Sequence, residues 1–453
     1  MVAAPGGFSF GRFPVPGYHC TMQNLQLPRR LLADSATGAE IERRYNIPVN
    51  EFGPQCVHRI FDPTDDRTWG FVVIDNLARG RGLGGVRLAP DVTVDEIYGL
   101  AHAMTMKSAA AMLPLGGAKS GLRADPRQLA ADPVAKHALI SLFAEALWGI
   151  PEYIPGPDMG TNERDMQTIY ETFALRNGGA HHGRGGVGRP PAQGGFPLDE
   201  WAITAHGLFA AAVATERHIP DFRIKDSSVV IQGFGNVGAP IAEKLAGLGA
   251  RIVGASDINA ALYHPNGLEV AQLLALRSRR DGLAGYTGPV KQRFDGEHLD
   301  RLMEMPCTIL VPAARPHAIH AENAPLIHTR LVLQGANNPA DLVSEYFLQH
   351  RRGIVSLTDF IVNSGGVIAA YVEAKADVDT AFRERVMAED GTGRVYLEKL
   401  VTRIITENID EMFARKAGHR ARDVTWREIA NEIARDRLRP GADGGLKIIP
   451  ELK

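Results

Sequence analysis

At 453 residues, with 45% hydrophobic and 23% charged side chains, the chain has the composition of a soluble globular protein of about two or three domains. Its formal net charge of −2 gives no electrostatic footprint for nucleic acid or an anionic membrane. No run of about 18 apolar residues occurs, and Cys20, Cys56 and Cys307 are odd in number and far apart; a membrane span, a disulfide frame and a zinc knuckle are therefore set aside in favour of a reducing, cytoplasmic compartment.

Residues 1–26 are rich in Gly, Pro and aromatics without period and read as a loose arm. Gly70 to Asp75 is the clearest early strand, and Leu83 to Leu88 follows after a short loop, Arg79-Gly80-Arg81-Gly82. Thr93 is placed to cap a helix from Val94 through Met112, with Glu96 at the capping-box position. Pro114 then opens a glycine-rich loop as far as Gly121. Two lysines sit in this stretch, Lys107 and Lys119, the only ones in the first 135 residues of a chain with 39 Arg and 11 Lys. Arginine stays charged, whereas lysine loses its proton when desolvated or set beside another cation, so the pattern points to ammonium chemistry. A phosphate loop would need glycine where Leu113 and Ala118 stand. An ordinary helix end, with lysines aiding the C-terminal dipole, is the competing reading.

Pro133 to Trp148 reads as a helix. Asp158 follows among chain breakers, in Pro157-Asp158-Met159-Gly160-Thr161-Asn162, and Thr161 or Asn162 caps the next helix through Phe173. Residues 177–197 read as an exposed loop, and His181-His182 within it lacks the spacing of a zinc site, so no metal is expected. Leu198 to Arg217 is an apolar helix carrying Thr204.

The pattern then changes. Ser228 to Gln232 is a buried strand, followed at once by Gly233-Phe234-Gly235-Asn236-Val237-Gly238, a helix from Ala239 to Leu248, a second strand from Arg251 to Ser256, and Asp257, 19 residues beyond Gly238. This is the full dinucleotide fingerprint: glycines for the turn and for close pyrophosphate approach, a helix N-terminus facing the phosphates, and an acid for the ribose. Further strands are predicted at 308–311, 331–333 and 353–356, each ending in a small or polar loop, and two long helices at 394–417 and 425–437.

Taken together, the stretches Gly84-Gly85-Val86-Arg87, Met104-Thr105-x-Lys107, Pro114 to Gly121, Pro157 to Asn162, the nucleotide fingerprint, Gly335-Ala336-Asn337-Asn338-Pro339 and Asn363-Ser364-Gly365-Gly366-Val367 stand in a recognisable order. From about residue 45 onward the chain resembles the glutamate/leucine/phenylalanine/valine dehydrogenases. The resemblance implies two α/β domains: an N-terminal substrate and oligomerisation domain over 1–200, and a Rossmann-like, doubly wound NAD-binding domain over 201–362. Helices over 363–453 are expected to return to the first domain. It implies a homo-oligomer, with the length pointing to a hexamer. Lys119 resembles the catalytic lysine and Asp158 its acidic partner. Lys107 resembles the lysine that holds the substrate α-carboxylate, Thr204 and Asn337 residues near the nicotinamide, and Asn363 one near the substrate. Gly84 and Gly85 let the backbone approach the amino acid.

The residue types suit oxidation of an α-amino acid. A lysine with its pKa lowered toward about 7–8 can activate water, and a second ammonium, Lys107, would help to lower it. A non-catalytic amino-acid or nucleotide sensor is the alternative class, which loss of Lys119 or Asp158 would have favoured. Asp257, followed by Ile258-Asn259 and no arginine, predicts NAD, with NADP left open.

For the substrate, the glutamate branch carries a lysine just before the Gly-Gly and a serine shortly after the later Gly-Gly; here stand Leu83 and Ala370. An unpaired buried carboxylate costs about 3–5 kcal/mol. Leu83, Gly156, Val367 and Ala370 therefore predict a non-polar amino acid, with glutamate as the alternative if a basic residue such as Arg79 or Arg81 replaces the missing lysine.

Overall fold

The computed structural model describes residues 27–178, 186–419 and 423–440. The arm over 1–26 and His181-His182 lie outside the described residues.

The first sheet holds β1 (Leu32–Thr37), β2 (Cys56–Asp62), β3 (Arg67–Asn76), β4 (Gly82–Ala89), β5 (Gly116–Arg123) and β6 (Tyr153–Pro157), in the order β1-β2-β3-β5-β4-β6. β4 runs parallel to β5 and β6, while β1, β2, β3 and β5 form antiparallel pairs. The accompanying helices are α1 (Ala39–Tyr45), α2 (Val94–Ala110), α3 (Pro126–Ala131), α4 (Pro133–Leu147) and α5 (Glu163–Arg176).

β5 corrects the sequence reading. The stretch after Pro114, expected as a loop, is a strand in the interior of the sheet. Its glycines are packing devices. A Cβ on Gly116 would lie 1.9 Å from the Asn76 carbonyl oxygen, and one on Gly117 would lie 2.1 Å from the Thr105 nitrogen. Only bare backbone lets α2 lie this close to the strand. α2 itself stops at Ala110, short of the expected Met112, whose φ of 54° turns the chain out of the helix. Thr93 caps it as expected, accepting from the Glu96 amide, but the Glu96 carboxylate is turned to Arg87 and closes no capping box. Asn162 caps α5, and its reciprocal box with Asp165 is complete.

The second sheet begins after α6 (Ile203–Thr215), which is shorter than expected because residues 198–202 form turns. Its strands are β7 (Ser228–Gln232), β8 (Arg251–Ser256), β9 (Ala261–Tyr263), β10 (Gln292–Phe294), β11 (Ile309–Pro312), β12 (Leu331–Leu333) and β13 (Val355–Leu357), in the order β10-β9-β8-β7-β11-β12-β13. The five strands from β8 to β13 in that order are parallel, with α7 (Gly238–Gly247), α8 (Val270–Leu276) and α9 (Leu342–His350) between them in sequence. The β9–β10 ribbon adds antiparallel pairs, so the sheet is mixed rather than purely parallel. The fold is that of two α/β domains, the second Rossmann-like.

The chain ends in α10 (Asp359–Val362), α11 (Gly365–Val378), α12 (Thr380–Met387), α13 (Arg394–Gly418) and α14 (Trp426–Leu438). Buried side chains tie this end to α2. Asn408 on α13 donates to the Ala110 carbonyl at 3.0 Å, Arg437 on α14 donates to the same carbonyl, and Arg79 donates to the Leu113 carbonyl at 2.7 Å and the Arg437 carbonyl at 2.5 Å. Among the described residues no helix is long and apolar enough to cross a membrane.

Candidate active site

Adjacent strands of the first sheet bring the acid–base candidates together. Lys119 projects from β5 and Asp158 follows the end of β6, with β4 between them. Lys119 Nζ lies 3.2 Å from Asp158 Oδ1, and Arg87 Nε on β4 donates to Asp158 Oδ2 at 2.9 Å. Arg87 is held in turn by Glu96 at 2.5 Å. Gly85 makes the room: a Cβ there would come within 2.7 Å of the Asp158 Cβ and 3.1 Å of Lys119 Nζ. Gly84 packs instead against its neighbour strand, where a Cβ would meet the Ala118 carbonyl at 1.7 Å.

Burial lowers the pKa of Lys119, Asp158 pulls it back up, and the Arg87 cation lowers it further. Arg87 is thus the cation that presses on Lys119, the part expected of Lys107. Burial also works against the charged form of Asp158, but Lys119 and Arg87 outweigh it and hold the carboxyl below its ordinary value.

Lys107 comes from the last turn of α2 and reaches the second domain, donating to Asn337 Oδ1 at 3.2 Å. Burial lowers it to about 8, with Lys119 adding to the shift and Asp359 opposing it. Asn363 Nδ2 donates to the same Asn337 oxygen at 3.1 Å and to the Gly335 carbonyl at 3.2 Å, while its own Oδ1 is buried without a partner. A buried amide oxygen in that state is a ready acceptor for a bound ammonium or amine.

These groups line one cleft of about 1030 Å³ between the two sheets. Leu83, Gly84, Gly85, Gly156, Lys107, Lys119, Asp158, Thr204, Val237, Asn337, Asn363, Val367 and Ala370 all face it. Val187 and Phe196 add to its apolar wall. Arg79 and Arg81 do not face it. Their guanidiniums serve backbone carbonyls, Arg79 as above and Arg81 those of Pro151 and Tyr153. They do not replace the missing lysine.

The nucleotide fingerprint forms the turn between β7 and α7. Gly233 takes φ 92°, a Cβ on Gly238 would strike the Gly233 carbonyl oxygen at 1.8 Å, and a Cβ on Gly235 would meet nothing within 4 Å. The turn therefore has both the close helix–strand packing and the open face that a pyrophosphate needs, which fits a dinucleotide. Phe234 is buried beneath it and Asn236 stands at its rim, accepting from Arg277 Nη2 at 2.6 Å. Asp257 ends β8 as expected, but its oxygens are engaged: Oδ1 accepts from the amides of Asn259 and Ala260, and Oδ2 from that of Leu283 at 2.7 Å. A carboxylate has about four acceptor sites, so roughly one is left for a ribose hydroxyl. Among the described residues no cluster of His, Cys, Asp or Glu is placed to hold a metal ion.

The Glutamate/Leucine/Phenylalanine/Valine dehydrogenase family model matches residues 194–437, and that of the Glu/Leu/Phe/Val dehydrogenase dimerisation domain matches residues 57–174. The chain belongs to this family. It is an amino-acid dehydrogenase. It is 31% identical over 423 residues to the NAD-specific glutamate dehydrogenase A of Halobacterium salinarum, covering 91% of each chain. It is 36% identical over 317 residues to the glutamate dehydrogenase of Thermotoga maritima, covering 69% of this chain and 74% of that one. Its fold matches the leucine-bound hetero-hexameric glutamate dehydrogenase of Thermus thermophilus at a TM-score of 0.66 and 28% identity, covering 91% and 88% of the two chains. Both sequence relatives are named for glutamate, which favours the alternative over the expected non-polar substrate.

Seen as a dehydrogenase of this family, the chain has groups at the cleft and at the nucleotide turn that the sequence reading passed over. Arg87 stood in the quoted Gly-Gly-Val-Arg stretch, but only the β4–β6 pairing shows that it reaches Asp158. Arg277 lies 41 residues from Asn236, and no local pattern announces the contact. Arg164, at the start of α5, also lines the cleft.

Proposed function

We propose that this enzyme oxidises L-glutamate to its 2-oxo acid and ammonia with NAD as hydride acceptor. Kinship over nine-tenths of the chain with an NAD-specific glutamate dehydrogenase carries the reading. The cleft offers a matching charge count. Among the described residues that line it, Lys107 and Arg164 are cations without an ion pair, whereas Arg87, Lys119 and Arg315 are tied to Asp158 or Asp300. Two free cations suit a substrate with two carboxylates.

In this reading Lys107 holds the α-carboxylate, and Arg164 is available to the side-chain carboxylate. The Asn363 oxygen accepts from the substrate amine. NAD, when bound at the glycine turn, supplies the acceptor for the Cα hydride. Lys119, neutral when it acts, takes a proton from the water that attacks the imine carbon. Asp158, 3.2 Å from Lys119, moves a proton to the departing nitrogen. Apolar walls exclude other water from the cleft and strengthen each of these contacts. The proposed assembly is a homo-oligomer of six subunits, as the length and the relatives suggest, and light scattering giving a monomer mass would reject it.

A second reading, a non-polar amino acid, rests on one specific observation. Leu83, Val187, Phe196, Val367 and Ala370 are all buried and form an apolar wall of the cleft. A panel of kcat/KM values with NAD for L-glutamate, L-leucine, L-valine and L-phenylalanine decides between them. Glutamate first supports the proposal; any non-polar substrate ahead of it transfers the conclusion to the second reading.

A further inference from the structure

We propose that Glu373 is the positioning residue for the amino-acid pocket, a buried carboxylate that staples the segment 187–196 against α11 and so sets the wall that the substrate side chain meets. The proposal rests on the amino-acid dehydrogenase reading above and adds to it a residue that does not touch the cleft.

Glu373 is fully buried, one turn beyond Ala370 on α11. Its two oxygens are spent on backbone rather than on a side-chain partner. Oε1 accepts from the Gly188 amide at 2.9 Å and more weakly from the Arg189 amide at 3.4 Å, and Oε2 accepts from the Phe196 amide at 3.1 Å. The two ends of one loop are thus closed on a single carboxylate. The side chains beside those amides, Val187 and Phe196, face the cleft, as does Ala370 on the helix that carries Glu373. Three parts of the pocket wall are referenced to one group.

An ion pair with buried Arg189, itself in the loop, also holds Glu373, but it is the looser of its contacts. Arg189 Nε is 3.7 Å from Oε1 and has no hydrogen-bond partner, while the Arg189 guanidinium is directed to Asp377 at 3.0 Å and lies over the Tyr170 ring at 3.9 Å. Charge-assisted hydrogen bonds to backbone amides are about twice as strong as neutral ones, so the loop is the main beneficiary of the carboxylate. The charged and titratable groups around Glu373 are Arg189 from the loop, Asp377 from its own helix and Tyr170 from α5. Burial pushes Glu373 up to about 7, against the pull of Arg189 and the three amides.

The test uses the full-length enzyme and Glu373→Gln, which keeps the shape and replaces one accepting oxygen with a donor. Amide hydrogen exchange over 186–197 should speed up at least tenfold in the variant. KM for the amino acid should rise about tenfold, with kcat within about threefold and KM for NAD unchanged. Combined with Phe196→Ala, the KM effects should fall short of multiplying, because both changes act on one wall. Glu373→Asp, which retains the charge but withdraws it by one methylene, gives the same pattern if the Gln variant does not fold. Unchanged exchange over 186–197, or KM effects that multiply, overturns the proposal. A wild type that oxidises no amino acid would overturn the preceding function, while the exchange measurement still decides the staple.

Discussion

The Lys119 ammonium stands 3.2 Å from Asp158, and the pair is completed from the opposite side by Arg87 at 2.9 Å. An acid–base couple is normally described by its two members. Here a third group sets the balance, since Arg87 favours the ionised form of Asp158 and the neutral form of Lys119. Lys119→Ala and Asp158→Asn should each lower kcat by at least a hundredfold with an unchanged melting transition. Wild-type turnover in either rejects the mechanism.

Arg87 gives a sharper test. In the proposed mechanism neutral Lys119 is the active base, so kcat should rise with pH through the Lys119 pKa, which lies below the ordinary lysine value. Removing the neighbouring cation relieves part of that depression. Arg87→Met should therefore move the acidic limb of the kcat profile to higher pH, by about one unit, as expected for a charge within about 4–6 Å. A shift toward lower pH would show that Arg87 acts mainly through Asp158.

Arg164→Ala tests the charge count of the cleft. It should lower kcat/KM for L-glutamate by at least tenfold and leave any activity toward L-leucine within about threefold. An equal loss for both would place Arg164 away from the substrate side chain.

At the nucleotide turn, NAD should exceed NADP in kcat/KM by at least tenfold, because in the proposed binding mode the Asp257 carboxylate would repel a 2′-phosphate. Arg277→Ala should raise KM for NAD several-fold by freeing Asn236 at the rim of the turn. A preference for NADP that vanishes in the same variant would instead assign Arg277 to that phosphate.

The C-terminal lock predicts a stability effect. Arg437 is buried and bonds the Ala110 carbonyl, Asn408 Oδ1 and Glu411. Arg437→Met leaves these acceptors short of a donor and should cost about 2–4 kcal/mol in urea unfolding. A loss below about 0.5 kcal/mol would show that the contact adds nothing.

Local chemistry made the nucleotide half legible. Strand, glycine turn, helix and acid are consecutive in the chain, so Gly233 to Gly238 and Asp257 could be placed from spacing alone. The reading failed where partners are distant. Three glycines after Pro114 suggested a loop, because sequence shows their freedom but not the Asn76 and Thr105 backbones that demand them. The amide contacts of Asp257 were equally out of view, because nothing nearby reveals the Leu283 amide that shares its carboxylate with any ribose hydroxyl. Lys107 and Lys119 were found by their rarity, and Arg87 was missed because arginine is everywhere in this chain.

The left-handed turn at Met112 has a further consequence. It connects the helix bearing Lys107 to the strand bearing Lys119 within a few residues, and Asp158 follows the strand two positions away in the same sheet. The proposed proton-handling couple is therefore assembled when the first domain folds, before any ligand arrives. Asn337 and Asn363 belong to the other half of the molecule and meet this set only across the cleft. The entropy of ordering the acid and base is thus settled when the chain folds and is not left for the substrate to supply.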